Sequence, residues 1–273
     1  MTVRKQEEEG SLGLRAKIRA GNALIGSYVT FPSPEIVELF ARAGMDYVII
    51  DLQHSSPDWQ TLTHMLRAAD AGGTSAIVRL YKHDPSLILK VLDLGAEGIS
   101  LPGVQGPSDI HSAVQAMYYA PLGNRGACGH TRAGGYNSRR ADFPEHVRRQ
   151  NDRVCLWAIV EDAAAVDKIA EIASVRPGAD IIGIGRGDLS VSLGFPGQID
   201  HPQVVAVTET AVQQVQSNST GQCASAVMIH RADEIQPWFR RGCRMFTFAA
   251  DAMLLMDAAR GAVEAFRSET LKR

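Results

Sequence analysis

Five times along the chain a glycine, one or two small or charged residues and an apolar run occur in the same order, each run ending in polar groups: "AGMDYVIIDLQH", "AGGTSAIVRLYKHD", "LGAEGISLPGVQ", "PGADIIGIGRGD" and "RGCRMFTFAAD". A glycine can take the left-handed conformation that ends a helix, and an unbroken apolar run suits a strand buried on both faces. Each copy therefore marks a passage from helix into strand. Apolar residues at steps of three and four fill the intervals 34–43, 58–71, 85–93, 107–118, 162–175, 202–217, 231–240 and 250–268, and further strand-like runs lie at 24–29, 154–160 and 223–228. Eight strands alternating with eight helices imply a parallel sheet. In 273 residues the alternation favours a (β/α)8 TIM barrel over a doubly wound sheet.

No proline- or serine-rich linker divides the chain, so residues 13–273 are expected to form one barrel domain, with an N-terminal helix, behind a polar tail at 1–12. One stretch, "APLGNRGACGHTRAGGYNSRRADFPEHVRRQNDR", is too long for an ordinary connection and is expected to be irregular, as a functional or subunit-contact loop. Its arginines, including Arg125, Arg132, Arg139 and Arg140, could bind an anion, although a solvated or intersubunit basic loop explains most of them.

Twenty-eight basic against thirty acidic side chains leave a formal charge of -2, too balanced to argue through charge for a nucleic acid or a membrane surface as partner. A small molecule is the expected partner. Cys128, Cys155, Cys223 and Cys243 are widely spaced and form no C-x-x-C pair, which speaks against a zinc site or a redox dithiol and suits a reducing cytoplasm. The first residues lack the apolar core of a signal peptide, and no segment reaches the length of a membrane span.

In a barrel of this kind, chemistry gathers where the strands end, at their carboxyl termini. The polar groups following the apolar runs are Asp51 and His54, Arg79 and His83, Glu161, and Asp188. Glu161 and Asp188 end adjacent strands and would project into one mouth. Two hard oxygen ligands suit Mg2+, Mn2+ or Co2+. The alternatives are that Asp188 caps a helix beginning at Leu189 and that Glu161 favours the start of the next helix. Gly185 and Gly187 in "GIGRGDLS" would let backbone N–H groups approach a bound anion, or serve only to turn the chain. Arg79 could hold an oxyanion, or form a rim salt bridge. His54 could be a general base, or a hydrogen-bonded loop histidine with Ser56 capping the following helix. Asp93, near the end of an apolar helix, is costly there without a partner, which a histidine could supply; otherwise it caps a turn or faces solvent.

As an ensemble, "DLQHSS", "VRLYKHDP", "VLDLGAEGISLPGVQ", "YYAPLGNRG", the strand end "IVE" and "IGRGDLSVSLGFPG" resemble the metal-dependent, class II pyruvate aldolases of the HpcH/HpaI type. "KHD" and "MYYAPLGNRG" resemble the macrophomate synthase branch. The resemblance runs from about residue 20 to the end of the chain. It implies that His54 is the base, paired with Asp93, and that Arg79 stabilises an enolate. It also implies that Glu161 and Asp188 bind the divalent metal, with Gly185, Gly187 and Asp188 at the substrate carboxylate. The implied reaction makes or cleaves a 4-hydroxy-2-oxo acid, giving pyruvate and an aldehyde. The implied assembly is a homo-oligomer, a hexamer or trimer, with C-terminal helices exchanged between subunits. Gln53 stands where the family typically has glutamate, Ile159 where many members have glutamine, and Arg186 where proline is common. Oxaloacetate decarboxylation, a macrophomate synthase-like reaction and a catalytically silent metabolite-binding barrel are the competing readings.

Overall fold

A computed structural model describes residues 13–138 and 142–270; the proposed polar tail, Arg139 and Arg140 lie outside the described residues. Eight parallel strands close into a barrel in chain order: β1 Leu24–Val29, β2 Tyr47–Asp51, β3 Ser75–Arg79, β4 Gly98–Leu101, β5 Cys155–Val160, β6 Ile181–Ile184, β7 Ala224–Ile229 and β8 Met245–Ala250. The helices are α1 Leu14–Arg19, α2 Pro34–Arg42, α3 Trp59–Gly72, α4 Pro85–Asp93, α5 Pro107–Met117, α6 Phe143–Arg153, α7 Ala163–Val166, α8 Ile169–Ser174, α9 Arg186–Ser192, α10 Pro202–Asn218, α11 Ile235–Arg240 and α12 Asp251–Thr270. None of them is long and apolar enough to cross a membrane.

The motif glycines act as their spacing predicts, with one exception. Gly44, Gly73, Gly95 and Gly242 have φ of 88°, 74°, 98° and 99°, the region where an L side chain is strained. Gly178 does not; a Cβ there would stand 2.2 Å from the Val175 carbonyl oxygen, so close backbone approach, rather than handedness, demands glycine.

Successive strand residues face alternately into the barrel and out toward the helices. The inward set is Leu24, Tyr47, Ile49, Ile77, Cys155, Trp157, Ile159, Ile181, Ala224, Ala226 and Met245, a core of its own within the barrel. Outward residues such as Val48, Ile50, Val78, Ile99 and Ile182 pack with the helices in the larger outer core. Leu14 and Ile18 of α1 belong to the inner core and plug the end at which the strands begin. Arg15 anchors that plug, its Nε 2.7 Å from Asp180 and its Nη1 donating to the Asn151 carbonyl at 2.7 Å.

The long stretch expected to be irregular contains α6, which periodicity misses because its two buried residues, His146 and Asn151, are polar. Asn151 earns its burial by pairing both polar ends with the Tyr119 backbone, at 2.8 and 3.1 Å. Arg125 is buried rather than solvated: it reaches Asp93 at 3.0 Å and lies over the Tyr119 ring. Arg132 pairs with Asp70. Neither of these arginines is left as an open anion site.

Candidate active site

The alternation that fills the barrel interior with apolar side chains also builds its mouth. Continuing the inward parity from Tyr47 and Ile49 reaches Asp51; from Ile77 it reaches Arg79; from Trp157 and Ile159 it reaches Glu161. These groups therefore crown the core by the geometry of the strands rather than by loop placement. A cavity of about 300 Å³ opens there, bordered by Tyr28, Arg79, Glu161, Asp188, Arg186 and His230.

Asp51 is fully buried and accepts from Arg79 twice, from Nε at 2.8 Å and from Nη2 at 2.7 Å. It also accepts the backbone N–H groups of Gln53 at 2.9 Å and His54 at 3.3 Å. This bidentate fork fixes the guanidinium plane, which rests on the Tyr28 ring at 4.5 Å, and leaves Nη1 as the edge not taken by Asp51. Asp51 thus positions Arg79. Burial, opposed by the Arg79 charge, pushes the Tyr28 phenol above its ordinary range.

Glu161 follows β5 directly. Its carboxyl is pushed above the ordinary glutamate range, first by burial and then by the negative charge of Asp188, against the lowering effects of the Gly103 backbone N–H and of Arg79. The like charge of Asp188 thus outweighs the nearby Arg79 cation at Glu161. The alternatives for these residues are taken by others. Asp162 caps α7, accepting from Ala165 N at 2.9 Å. Helix α9 starts at Arg186 with Gly185 as its N-cap, leaving Asp188 exposed in the first turn. Likewise Asp58, not Ser56, caps α3, accepting from Thr61 N at 2.6 Å.

Among the described residues no cluster of three or more His, Cys, Asp or Glu side chains forms a closed metal cage. The Glu161–Asp188 pair is an open site of two hard oxygen donors, the arrangement that suits Mg2+ or a similar ion completing its shell with water and substrate oxygens. Gly185 is required by this pair. A Cβ on it would come within 2.7 Å of the Glu161 Cβ and 3.0 Å of Oε2. Its N–H is already bonded to the Val160 carbonyl at 3.0 Å, so Gly185 makes room for a ligand and does not itself offer a donor to an anion. Gly187, exposed in the first turn of α9 with open space around its Cα, is free to face a carboxylate with its N–H.

His54 and Asp93 are not brought together within one chain. His54 sits exposed in the loop after β2, at the mouth but outside the cavity lining. Asp93 ends α4, which runs back antiparallel to the strands, so it lies at the opposite end of the barrel, held by Arg125. His83 also turns aside, its Nε2 2.6 Å from the Pro102 carbonyl oxygen. Of the three departures, Ile159 stays apolar and lines the cavity, and Gln53 lends its backbone to Asp51. Arg186 is buried, with Nη2 donating to the Met228 carbonyl at 2.5 Å and to Glu234 at 2.9 Å. Motif reading did not assign roles to Asp51, Tyr28 or His230; strand parity would have found the first two.

A (β/α)8 barrel whose strand ends bring a fixed arginine and two carboxylates to one mouth has the make-up of an enzyme of this fold. A family model for HpcH/HpaI aldolase/citrate lyase matches residues 24–258, and the chain belongs to that family. It is similar to the hydroxypyruvate/pyruvate aldolase of Sagittula stellata, 39% identical over 192 residues, 70% of this chain and 74% of that protein. The solved HpcH/HpaI aldolase from Desulfitobacterium hafniense DCB-2 superposes with a TM-score of 0.87 at 28% identity, covering 94% of this chain and 97% of that one. Macrophomate synthase, at 23% identity and a TM-score of 0.82 over 100% and 99% of the two chains, shares the fold. The chain is accordingly a carbon–carbon lyase of the aldolase type.

Proposed function

We propose that this chain is a divalent-metal-dependent aldolase that makes or cleaves a 4-hydroxy-2-oxo acid, with pyruvate as the enolisable partner and an aldehyde as the other. The observation that carries the reading is the uncompensated Glu161–Asp188 pair beside a guanidinium locked by Asp51. When bound between those carboxylates, a divalent cation supplies Lewis acidity toward the 2-oxo group. Arg79 presents Nη1 to the oxygen on which negative charge develops as the methyl proton leaves, in a direction fixed before substrate arrives. The first-turn N–H groups of α9 at Gly187 and Asp188 receive the substrate carboxylate. Asp188 both ligates the cation and closes that end of the site.

His54, at the rim, is the base: it takes the proton of the aldol's hydroxyl group in cleavage and the methyl proton of pyruvate in synthesis, directly or through a water. Because Asp93 of the same chain is at the far end of the barrel, a His54–Asp93 pair requires two copies of the chain. The C-terminal helix α12, exposed beyond its first turn and carrying Leu255, Met256, Val263 and Phe266 in solvent, favours the same homo-oligomeric reading.

The test is exchange of the pyruvate methyl protons in D2O by NMR, with Mg2+, Mn2+ or Co2+, with EDTA, and in Arg79→Ala and Glu161→Ala. Exchange that needs metal and is lost in both variants is the expected result. A folded protein that exchanges no protons with any metal overturns the aldolase reading, and oxaloacetate decarboxylation is then the next assay.

A further inference from the structure

We infer that Asp251 is a positioning residue for His54, acting through the Thr30–Phe31 peptide and the Ser55 hydroxyl. The inference rests on the aldolase reading, in which His54 is the base, and adds what aims that base. His54 is exposed at the rim, so its direction comes from its backbone rather than from packing around the ring. That backbone is held on both sides. Asp51, at the end of β2, accepts the His54 N–H at 3.3 Å. On the other side, the Ser55 hydroxyl donates to the Thr30 carbonyl in the loop after β1. The N–H of the same peptide unit, on Phe31, donates to Asp251 at 2.9 Å. A trans peptide is a rigid plane with its C=O and N–H on opposite edges, so Ser55 and Asp251 grip one plate from two sides.

Asp251 is only 3% exposed, and a carboxylate so buried is costly unless donors surround it. Among the described residues those donors are the Thr30 N–H at 2.9 Å, the Thr30 hydroxyl at 2.5 Å, the Phe31 N–H and, in its own helix, the Ala252 N–H at 2.8 Å. All but the last belong to the loop after β1. The backbone of β8 is bent to deliver this carboxylate. Gly26 pairs with Thr247 but Tyr28 with Ala250, so β8 carries one residue more than β1 over that interval, and Ala249 takes a left-handed φ of 52°. The extra residue shifts the inward–outward alternation by one. Asp251 would otherwise continue the row of Met245 and Thr247 into the mouth; instead it turns to Thr30. A strained non-glycine residue persists where the surrounding structure holds it to a purpose, and what Ala249 secures is the anchor of the loop that carries His54.

The experiment measures exchange of the pyruvate methyl protons in D2O, with Mg2+, Mn2+ or Co2+, in wild type, Ser55→Ala, Asp251→Asn and the double variant. Calorimetry gives the metal affinity of each, and a melting curve its fold. Ser55→Ala is expected to slow exchange at saturating pyruvate by about tenfold, because a base moved off its line loses rate rather than binding. The pyruvate concentration for half-maximal exchange and the metal affinity should stay at wild-type values. Asp251→Asn, which leaves the plate one acceptor oxygen short, should slow exchange by a similar factor. The double variant should be no slower than the slower single one, as expected of two residues that act through one peptide. Exchange at the wild-type rate in Ser55→Ala, a loss that appears instead in metal or pyruvate binding, or losses that multiply in the double variant overturn the inference. If Asp251→Asn fails to fold, Ser55→Ala decides alone. Wild-type exchange that Ser55→Ala leaves unchanged sinks the positioning role alone, whereas wild-type protein that exchanges no protons with any metal sinks the aldolase reading and the positioning role with it.

Discussion

The two ends of this barrel treat buried charge in opposite ways. Where the strands begin, each buried charge meets an opposite one: Arg15 meets Asp180 at 2.7 Å, and Glu97 meets Arg153 at 3.0 Å while also accepting Leu14 N at 2.6 Å. Where they end, Arg79–Asp51 and Arg186–Glu234 are matched, but Glu161 faces the like charge of Asp188. The closed end spends its ion pairs on fastening α1 under the core. The open end keeps two carboxylates in a state that a cation would relieve, so on the proposed reading the difference separates the groups that hold the fold from the groups that do chemistry.

Breaking the closed end should have the largest effect on stability. Arg15→Met leaves Asp180 buried without its partner and is expected to lower unfolding free energy by about 3–5 kcal/mol in urea titration, with Arg15→Met/Asp180→Leu regaining much of it. If Arg15→Met instead slows methyl exchange per folded molecule more than it lowers stability, the division of labour is wrong. The counterpart at the open end is Asp51→Asn. Freed from its fork, Arg79 should lose its aim, and exchange should slow by about 100-fold with metal affinity by calorimetry unchanged; a parallel loss of metal binding would show Asp51 acting through the ligands instead.

A smaller effect comes from crowding the ligand pair. Gly185→Ala pushes a methyl group against Glu161, and metal affinity should weaken by about tenfold without a fall in melting temperature. The smallest effect has the least usual sign. In metal-free protein the folded-state pKa of Glu161 is raised, so folding holds a proton that the unfolded chain releases, and stability falls as pH climbs from the ordinary glutamate range through the raised value. Glu161→Gln removes that slope. The metal-free variant should melt higher than wild type at neutral pH and match it more closely in acid, and saturating Mg2+ should reverse the order.

Unbroken apolar runs and the glycine-headed repeats made the barrel legible, because a parallel strand buried on both faces leaves such a run and a left-handed helix end leaves a glycine. Helix α6 escaped because its burial is polar, and Gly178 fits the motif for a different physical reason from its four counterparts. In the site, Arg79, Glu161 and Asp188 were legible because strand ends converge in any barrel of this kind. At Gly185 the sequence offers an anion approach or a plain turn, whereas the neighbouring Glu161 is what forbids a side chain there; a contact between two strand ends is invisible in either strand alone. The structure does not join His54 to Asp93 within one chain, since α4 carries Asp93 the full height of the barrel away from the mouth and Arg125 holds it there.

The plug formed by Leu14 and Ile18 also sets a traffic rule. With the lower end sealed by apolar side chains, substrates enter and products leave by a single doorway, so the molecule bound deeper must come first and go last. On the proposed reading pyruvate is the deeper of the two. Steady-state kinetics in the cleavage direction should then be ordered, the aldehyde departing before pyruvate, and pyruvate alone should act as a competitive product inhibitor against the aldol.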